Sequence, residues 1–299
     1  MSKIGFILFT FLLHLYTYFM SVFFFSPILI IVCFFTFLIH ITESLAYSLR
    51  LAGVRSGKIA VAMSFVTSTL LISRLSNMFQ APLLGSMVDS TILANTPDAL
   101  VLLESQFRVI IFTASLGALV GAFITPTCVE LFRSAIIQFQ LHGSMPKLIA
   151  NVFKPRIIVK IISHFKLPRF SMLKEVSYSG FGKGFLVVNC FVASIYCIGV
   201  LCSLIAGAYL PEFRSTSAQL SGIVNGLATI MFTLFVDPPG ARVTDSVSSG
   251  DLSDEHLKGV VIGMQLGKIL GTLILAQLLF KPFSSYILFV TRLISDVAQ

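Results

Sequence analysis

Charge is what this sequence is short of. Asp, Glu, Lys and Arg make up only 11% of its 299 residues, against roughly 25% in an ordinary soluble domain. From Ile4 to Thr42 there is none of the four. With 56% hydrophobic residues, 29 Phe and a mean hydropathy of +0.93, the chain cannot cover a core with polar surface in water. The bilayer has to act as part of its solvent. Metal, redox and hydrolytic signatures are missing as well. The five cysteines (Cys33, Cys128, Cys190, Cys197, Cys202) lie in apolar runs without C-x2-C spacing, so they read as small hydrophobes rather than as a zinc site or a disulfide framework. No H-E-x-x-H, G-x-S-x-G or nucleotide-binding glycine loop occurs, and the histidines are scattered. These absences point away from an enzyme, from a bound cofactor and from pumping by nucleotide hydrolysis.

Seven apolar stretches remain, at about 4–25, 28–49, 59–80, 109–132, 185–210, 220–236 and 258–281. Each is near the roughly 20 residues that about 30 Å of hydrocarbon requires. The fold class is therefore all-α: a polytopic helical membrane protein with 6–7 transmembrane helices. The first stretch lacks an A-x-A-like cleavage site and is long for a signal peptide, so 1–27 reads as an extra N-terminal transmembrane helix. Residues 28–132 then form a first three-helix unit and 185–282 a second. The tail 283–299 is apolar but short and is expected to lie in the interface. Sliding the chain by 156 positions aligns Phe79 with Phe235, Pro82 with Pro238, Asp89 with Asp245 and Ser90 with Ser246. Two inverted three-helix repeats would explain that pattern; four coincidences would explain it equally.

The net charge of +8 is concentrated where a membrane protein needs it. The segment 133–183 holds nine of the 21 Lys and Arg with one acid, Glu175. Within it, 147–166 alternates apolar pairs with Lys147, Lys154, Arg156 and Lys160, as an interfacial amphipathic helix on anionic lipid would; a plain positive-inside loop fits the same residues. Nucleic acid is not implied. Arg50, Arg55 and Lys58 follow the second stretch, while 81–108 carries Asp89, Asp98, Glu104 and a single Arg108. By the positive-inside rule the N-terminus is cytoplasmic and the C-terminus external. The acidic 237–257 segment is then cytoplasmic too, which is the weak point of this orientation.

Ionisable groups inside apolar runs cost about 2.5–3.5 kcal/mol each at a helix centre on insertion scales, and usually face a cavity or a partner. Lys268 lies mid-run in the seventh stretch. It is either a positive site for an anionic substrate or the partner of an acid such as Glu43. Arg74 and Asn77, at i and i+3, suit phosphate oxygens, or anchor the interface. Glu43 has His40 and Tyr47 on its own helix face; a structural pair with a cation competes with proton-coupled work, and His40 alone reads as a hydrogen-bonded core histidine. Arg50-Leu-Ala-Gly-Val-Arg55-Ser-Gly-Lys58 sets three cations and two glycines at a helix end, where backbone N–H groups can approach an anion, although it is not a Walker A loop. In Asp237-Pro-Pro-Gly-Ala-Arg242-Val-Thr-Asp245 the prolines are expected to stop the sixth helix, with Arg242 pairing either aspartate.

The runs IHITESLAYSLRLAGVRSGKIA (39–60), SRLSNMFQAPLLGSMVD (73–89, including Gln80), DPPGARVTD (237–245) and LAQLLFKP (275–282) resemble the Amj family, the alternate lipid II flippases of bacterial peptidoglycan synthesis. The resemblance covers roughly 29–282, so the first helix and the tail look like additions. It implies a multi-pass protein of the bacterial plasma membrane that moves a polyprenyl diphosphate bearing a sugar-peptide head group, with that precursor, anionic lipids and cell-wall synthesis proteins as partners. Arg50, Arg55, Lys58, Arg74, Asn77 and Lys268 would contact the substrate, supported by Glu43, Tyr47, Gln80, Asp89, Asp237, Arg242 and Asp245. A carrier for another lipid-linked sugar or a small anion, or a non-transporting scaffold, are the alternatives.

Overall fold

The chain breaks into helices at residues chosen for capping. The computed structural model describes residues 26–144 and 184–298, with Phe165 and Gly182 between them. The first apolar stretch, 4–25, and the amphipathic segment, 147–166, lie outside the described residues. Ser26 accepts from Leu29 N–H and Pro27 occupies the first turn of α1 (Pro27–Ser56), where its missing donor costs nothing. Gly57, with φ of 66°, ends α1 through N–H bonds to Gly53 and Val54 carbonyls. After this turn α2 (Ile59–Ala94) runs back and stops at Asn95, also left-handed. Thr96 and Pro97 then repeat the Ser26–Pro27 device to start α3 (Pro97–His142).

The second half follows the same order. Helix α4 (Gly184–Tyr209) leads through a 3-10 turn at Pro211–Phe213 into α5 (Arg214–Met231), a π-turn (Phe232–Val236) and α6 (Asp237–Ser249). Gly250, at φ of 88°, turns the chain into α7 (Asp254–Leu270), a second π-turn (Gly271–Leu275) and α8 (Ala276–Ala298). Since α5–α6 and α7–α8 are each continuous, six helical spans long and apolar enough to cross a membrane are present among the described residues.

Helix extends further than hydropathy alone foretold. Residues 81–108 form the end of α2, a tight turn and the start of α3 instead of a loop, and 133–142 continue α3 into the basic segment. Pro238 and Pro239 do not stop the sixth span, because the π-turn ahead of them loosens the backbone ladder and they fall in the first turn of α6. The tail beyond residue 282 is the continuation of the last span, with Ile287 and Thr291 buried.

In each half the first helix packs between the other two: α1 against α2 and α3, and α4 against α5 and the α7–α8 span. Glycines set the closest approaches. A Cβ on Gly117 or Gly121 of α3 would lie 2.7 Å from the Phe37 carbonyl or 2.6 Å from Ser44 Cβ on α1. Cβ atoms on Gly267 and Gly271 would run into Asn189 and the Cys190 carbonyl of α4. Small residues let helix backbones meet in lipid, where no hydrophobic force pulls helices together. Amide side chains then tie them: Asn189 donates to the Met264 carbonyl at 2.8 Å, Gln80 to Thr36 Oγ1 at 2.5 Å and Gln265 to Thr125 Oγ1 at 2.5 Å.

Two ends are thereby defined. The α1–α2 turn, the end of α3, the start of α4 and the α6–α7 turn share one, termed here the basic end. Phe185 clusters there with Leu51, Val129 and Leu257. The α2–α3 and α4–α5 turns share the other, where Tyr209 donates to Glu104.

These contacts predict that Gly121→Val and Gly271→Val each destabilise the fold by about 1–3 kcal/mol through overpacking. Gly226→Ala, whose Cβ meets open space, is expected to change the melting midpoint in detergent little.

Candidate functional site

Three helices bring their polar side chains together at mid-membrane depth. Glu43 of α1 and Lys268 of α7 each stand roughly 20 Å from the basic end of their helix at about 1.5 Å per residue. Lys268 Nζ donates to Glu43 Oε2 at 2.6 Å, and Ser73 Oγ of α2 donates to Glu43 Oε1 at 3.1 Å. The two partners differ in exposure. The Lys268 side chain is 4% exposed and that of Glu43 is 37% exposed. Lys268 is therefore a buried cation neutralised by an acid, and the carboxylate is the member that faces open space. His40, on the same helix, places Nδ1 4.0 Å from Glu43 Oε2. That nitrogen is buried and makes no hydrogen bond among the described residues.

Beside this cluster a gap separates α2 from the α5–α6 span, which do not pack on each other among the described residues. Helix α4 stays against α5 along its length, from the Gly207–Arg214 contact through Gly199–Asn225 to the Tyr196–Thr229 hydrogen bond of 2.7 Å. Helix α2 joins them at the far end alone, where Leu84, Met87 and Val88 share a core with Ile198, Leu201 and Ile205, and where Arg214 Nη1 meets Asp89 Oδ1 at 2.6 Å. Toward the basic end α2 and the α5–α6 span do not pack on each other among the described residues.

Both helices beside the gap expose polar residues. Helix α5 buries Leu220, Val224 and Ala228, exposes Ile223, Leu227 and Ile230 on a second face, and on a third shows Ser215, Gln219, Gly222, Asn225, Gly226 and Thr229 exposed or half-exposed. On α2 the exposed apolar face (Leu71, Leu75, Met78) adjoins a strip of Arg74, Asn77 and Ala81. Exposed polar residues within a membrane span line water or a polar ligand more cheaply than they face lipid. Glu43, the half-exposed Tyr196 and Tyr47, which lies within electrostatic reach of both, form the floor.

The residues singled out from the sequence thus fall into three groups. Arg74, Asn77 and Lys58 are exposed and make no ion pair or hydrogen bond through their side chains among the described residues. Lys268 is buried on Glu43, and Gln80 is buried as a helix tie. Arg50 and Arg55 are engaged: Arg50 with Asp237, and Arg55 with Asp254 at 3.0 Å and Glu130 at 3.5 Å. Since Arg50 claims Asp237, Arg242 pairs with neither aspartate, and both Arg242 and Asp245 are exposed. Two of the five carboxylates of the acidic 237–257 segment, Asp237 and Asp254, neutralise cations at the basic end. Ser73, Tyr196, Thr229 and Arg214 escaped notice in the sequence. Their signal, a third polar face on a helix with two apolar ones, is diluted when hydropathy is averaged over a window.

A family profile described as Amj, Alternate to MurJ, matches residues 35–291. The chain is 37% identical over 268 residues to "Lipid II flippase Amj" of Bacillus subtilis (strain 168), covering 89% of this chain and 97% of that protein. No solved structure matches. The profile runs into the tail, so residues 283–291 are part of the family pattern and not an addition to it.

Removing one member of a buried pair costs more than removing both. Glu43→Gln, which strands the buried lysine, is expected to destabilise by about 3–5 kcal/mol, Lys268→Met by less, and the double variant by less than the sum. A double-mutant cycle on melting midpoints in detergent checks this ordering.

Proposed function

Since this chain belongs to the Amj family, we propose that it is a flippase carrying lipid II, the polyprenyl diphosphate-linked peptidoglycan precursor, from the cytoplasmic to the outer leaflet of a bacterial plasma membrane. It is a multi-pass membrane transporter rather than an enzyme. The basic end is cytoplasmic in this reading, as the cation-rich 143–183 connection requires by the positive-inside rule, and the C-terminus is then external.

One observation carries the transport path: α2 and the α5–α6 span, which do not pack on each other among the described residues, each expose polar side chains, with the cation Arg74 on the first and neutral hydrogen-bonding groups on the second. Arg74 and Asn77 on α2 are free to bond diphosphate oxygens. The opposite wall, with Gln219, Asn225 and Thr229 and two glycines that leave room, suits a bulky uncharged sugar. Lys268 serves differently from a direct ligand. By neutralising Glu43 it removes the repulsion a carboxylate at the floor would exert on the incoming anion. Lys58 lies at the cytoplasmic mouth, while Arg50 and Arg55 shape that mouth through Asp237, Asp254 and Glu130. The isoprenoid tail stays in lipid while the head group passes along the gap. The matching packing of the two halves supports treating them as inverted repeats, the arrangement in which one half can rock against the other.

No nucleotide is needed. Moving negative charge outward against an inside-negative potential yields about 2.3 kcal/mol per charge per 100 mV, and a diphosphate with two charges about twice that.

In proteoliposomes carrying fluorescent lipid II, Arg74→Gln with Asn77→Ala is expected to slow translocation roughly 10- to 100-fold, the worth of about 1.5–3 kcal/mol in charged hydrogen bonds, with an unchanged melting midpoint. Wild-type rates in the double variant would remove the path from this gap. Imposing an inside-negative potential is expected to accelerate outward movement, and rates that ignore it would leave the lipid gradient as the only driving force.

A further inference from the structure

At the far end α2 meets α4 through the buried core of Leu84, Met87 and Val88 with Ile198, Leu201 and Ile205, and surface charges rim that attachment. Arg214 and Asp89 are more than half exposed, with side chains 54% and 53% accessible, and beside them Tyr209 bonds Glu104 at 2.9 Å. These contacts fasten α2 and α3 to the α4–α5 turn. At the basic end the ties are of another kind. Arg50 is 11% exposed on Asp237, and Arg55 holds two acids at once. Exposed single ion pairs contribute little to stability, so the charged rim of this attachment parts at little cost in water. The α2 backbone provides the place to bend. Pro82 lies inside the helix between Arg74 and Asp89 and can give no N–H to the turn before it, so the piece that carries Asp89 can tilt without unwinding the piece that carries Arg74.

We propose that Asp89 and Arg214 form the outer latch of the transport path: closed, they hold the gap open to the cytoplasmic side, and they must part before a diphosphate head group can leave on the other. The proposal rests on the flippase reading of the same gap. It assigns positioning roles to both residues, of which Arg214 had no role from the sequence. A head group that reaches the far end brings its own anion to Arg214, so the departing substrate competes with Asp89 for the guanidinium and loosens the latch as it arrives.

The test uses the full-length chain with Asp89→Cys and Arg214→Cys in proteoliposomes holding lipid II labelled on its peptide, with external quencher reporting the outer leaflet. A short reducible bis-methanethiosulfonate bridge between the two thiols is expected to cut translocation at least 10-fold. Reductant is expected to restore it, which also shows that the variant is folded, and a long flexible bis-maleimide across the same thiols is expected to leave most of the rate. Transport that continues at the reduced rate under the short bridge would overturn the latch while leaving the flippase reading intact. Failure of the wild-type protein to move the probe would overturn the flippase reading and the latch with it.

Discussion

A lysine buried at mid-membrane depth must have an anion, and Lys268 finds it on another helix of the other half. The bond to Glu43 is the constraint from which the site's geometry follows. It fixes the rotation of α1 and α7 about their axes, since a quarter turn of either would leave a charge without a partner in a medium that cannot solvate it. Ser73 draws α2 into the same register through the second carboxylate oxygen. With α1 so oriented, Glu43 faces the gap and Lys268 is hidden behind it, and the electrostatic character of the floor is set: neutral overall, acidic at its surface.

Around that fixed centre the protein uses two grades of attachment. Neutral amides and glycine contacts hold helices within each half and between them, through Asn189, Gln80, Gln265 and the Gly117, Gly121, Gly267 and Gly271 crossings. These involve no exposed charge and give a frame insensitive to salt. The remaining ion pairs lie near the aqueous ends, where water lowers the cost of parting them. A carrier has to be rigid where it orders its helices and yielding where it lets cargo through, and the division between amide ties and terminal ion pairs supplies both.

Much of this was legible in the residues. Runs of apolar sequence located all six described spans, and Ser26-Pro27 divided the first two stretches where the structure starts a helix, whereas 81–108, in which Thr96-Pro97 starts α3, read as a loop. Glu43 and Lys268 stood out because ionisable residues are expensive in lipid. What could not be read was which cations are free. Arg50, Arg55 and Arg74 look alike in the chain, yet the first two meet carboxylates 187 and 199 positions away and the third meets none among the described residues. Periodicity along one helix carries no information about such partners. Prolines misled for a different reason. Pro238 and Pro239 read as a stop, but a π-turn ahead of them delivers the two rings to the first turn of a new helix, where a missing donor does no harm.

The 225 positions between Glu43 and Lys268 have a consequence for how the protein is made. At about 5–20 residues per second, a ribosome takes roughly ten to forty-five seconds to deliver the lysine after the glutamate has emerged. Throughout that interval the newborn first hairpin carries an acid whose cation has not yet been made. Assembly is completed by the final span, so a chain cut short before it is a substrate for membrane quality control however well its earlier helices are inserted.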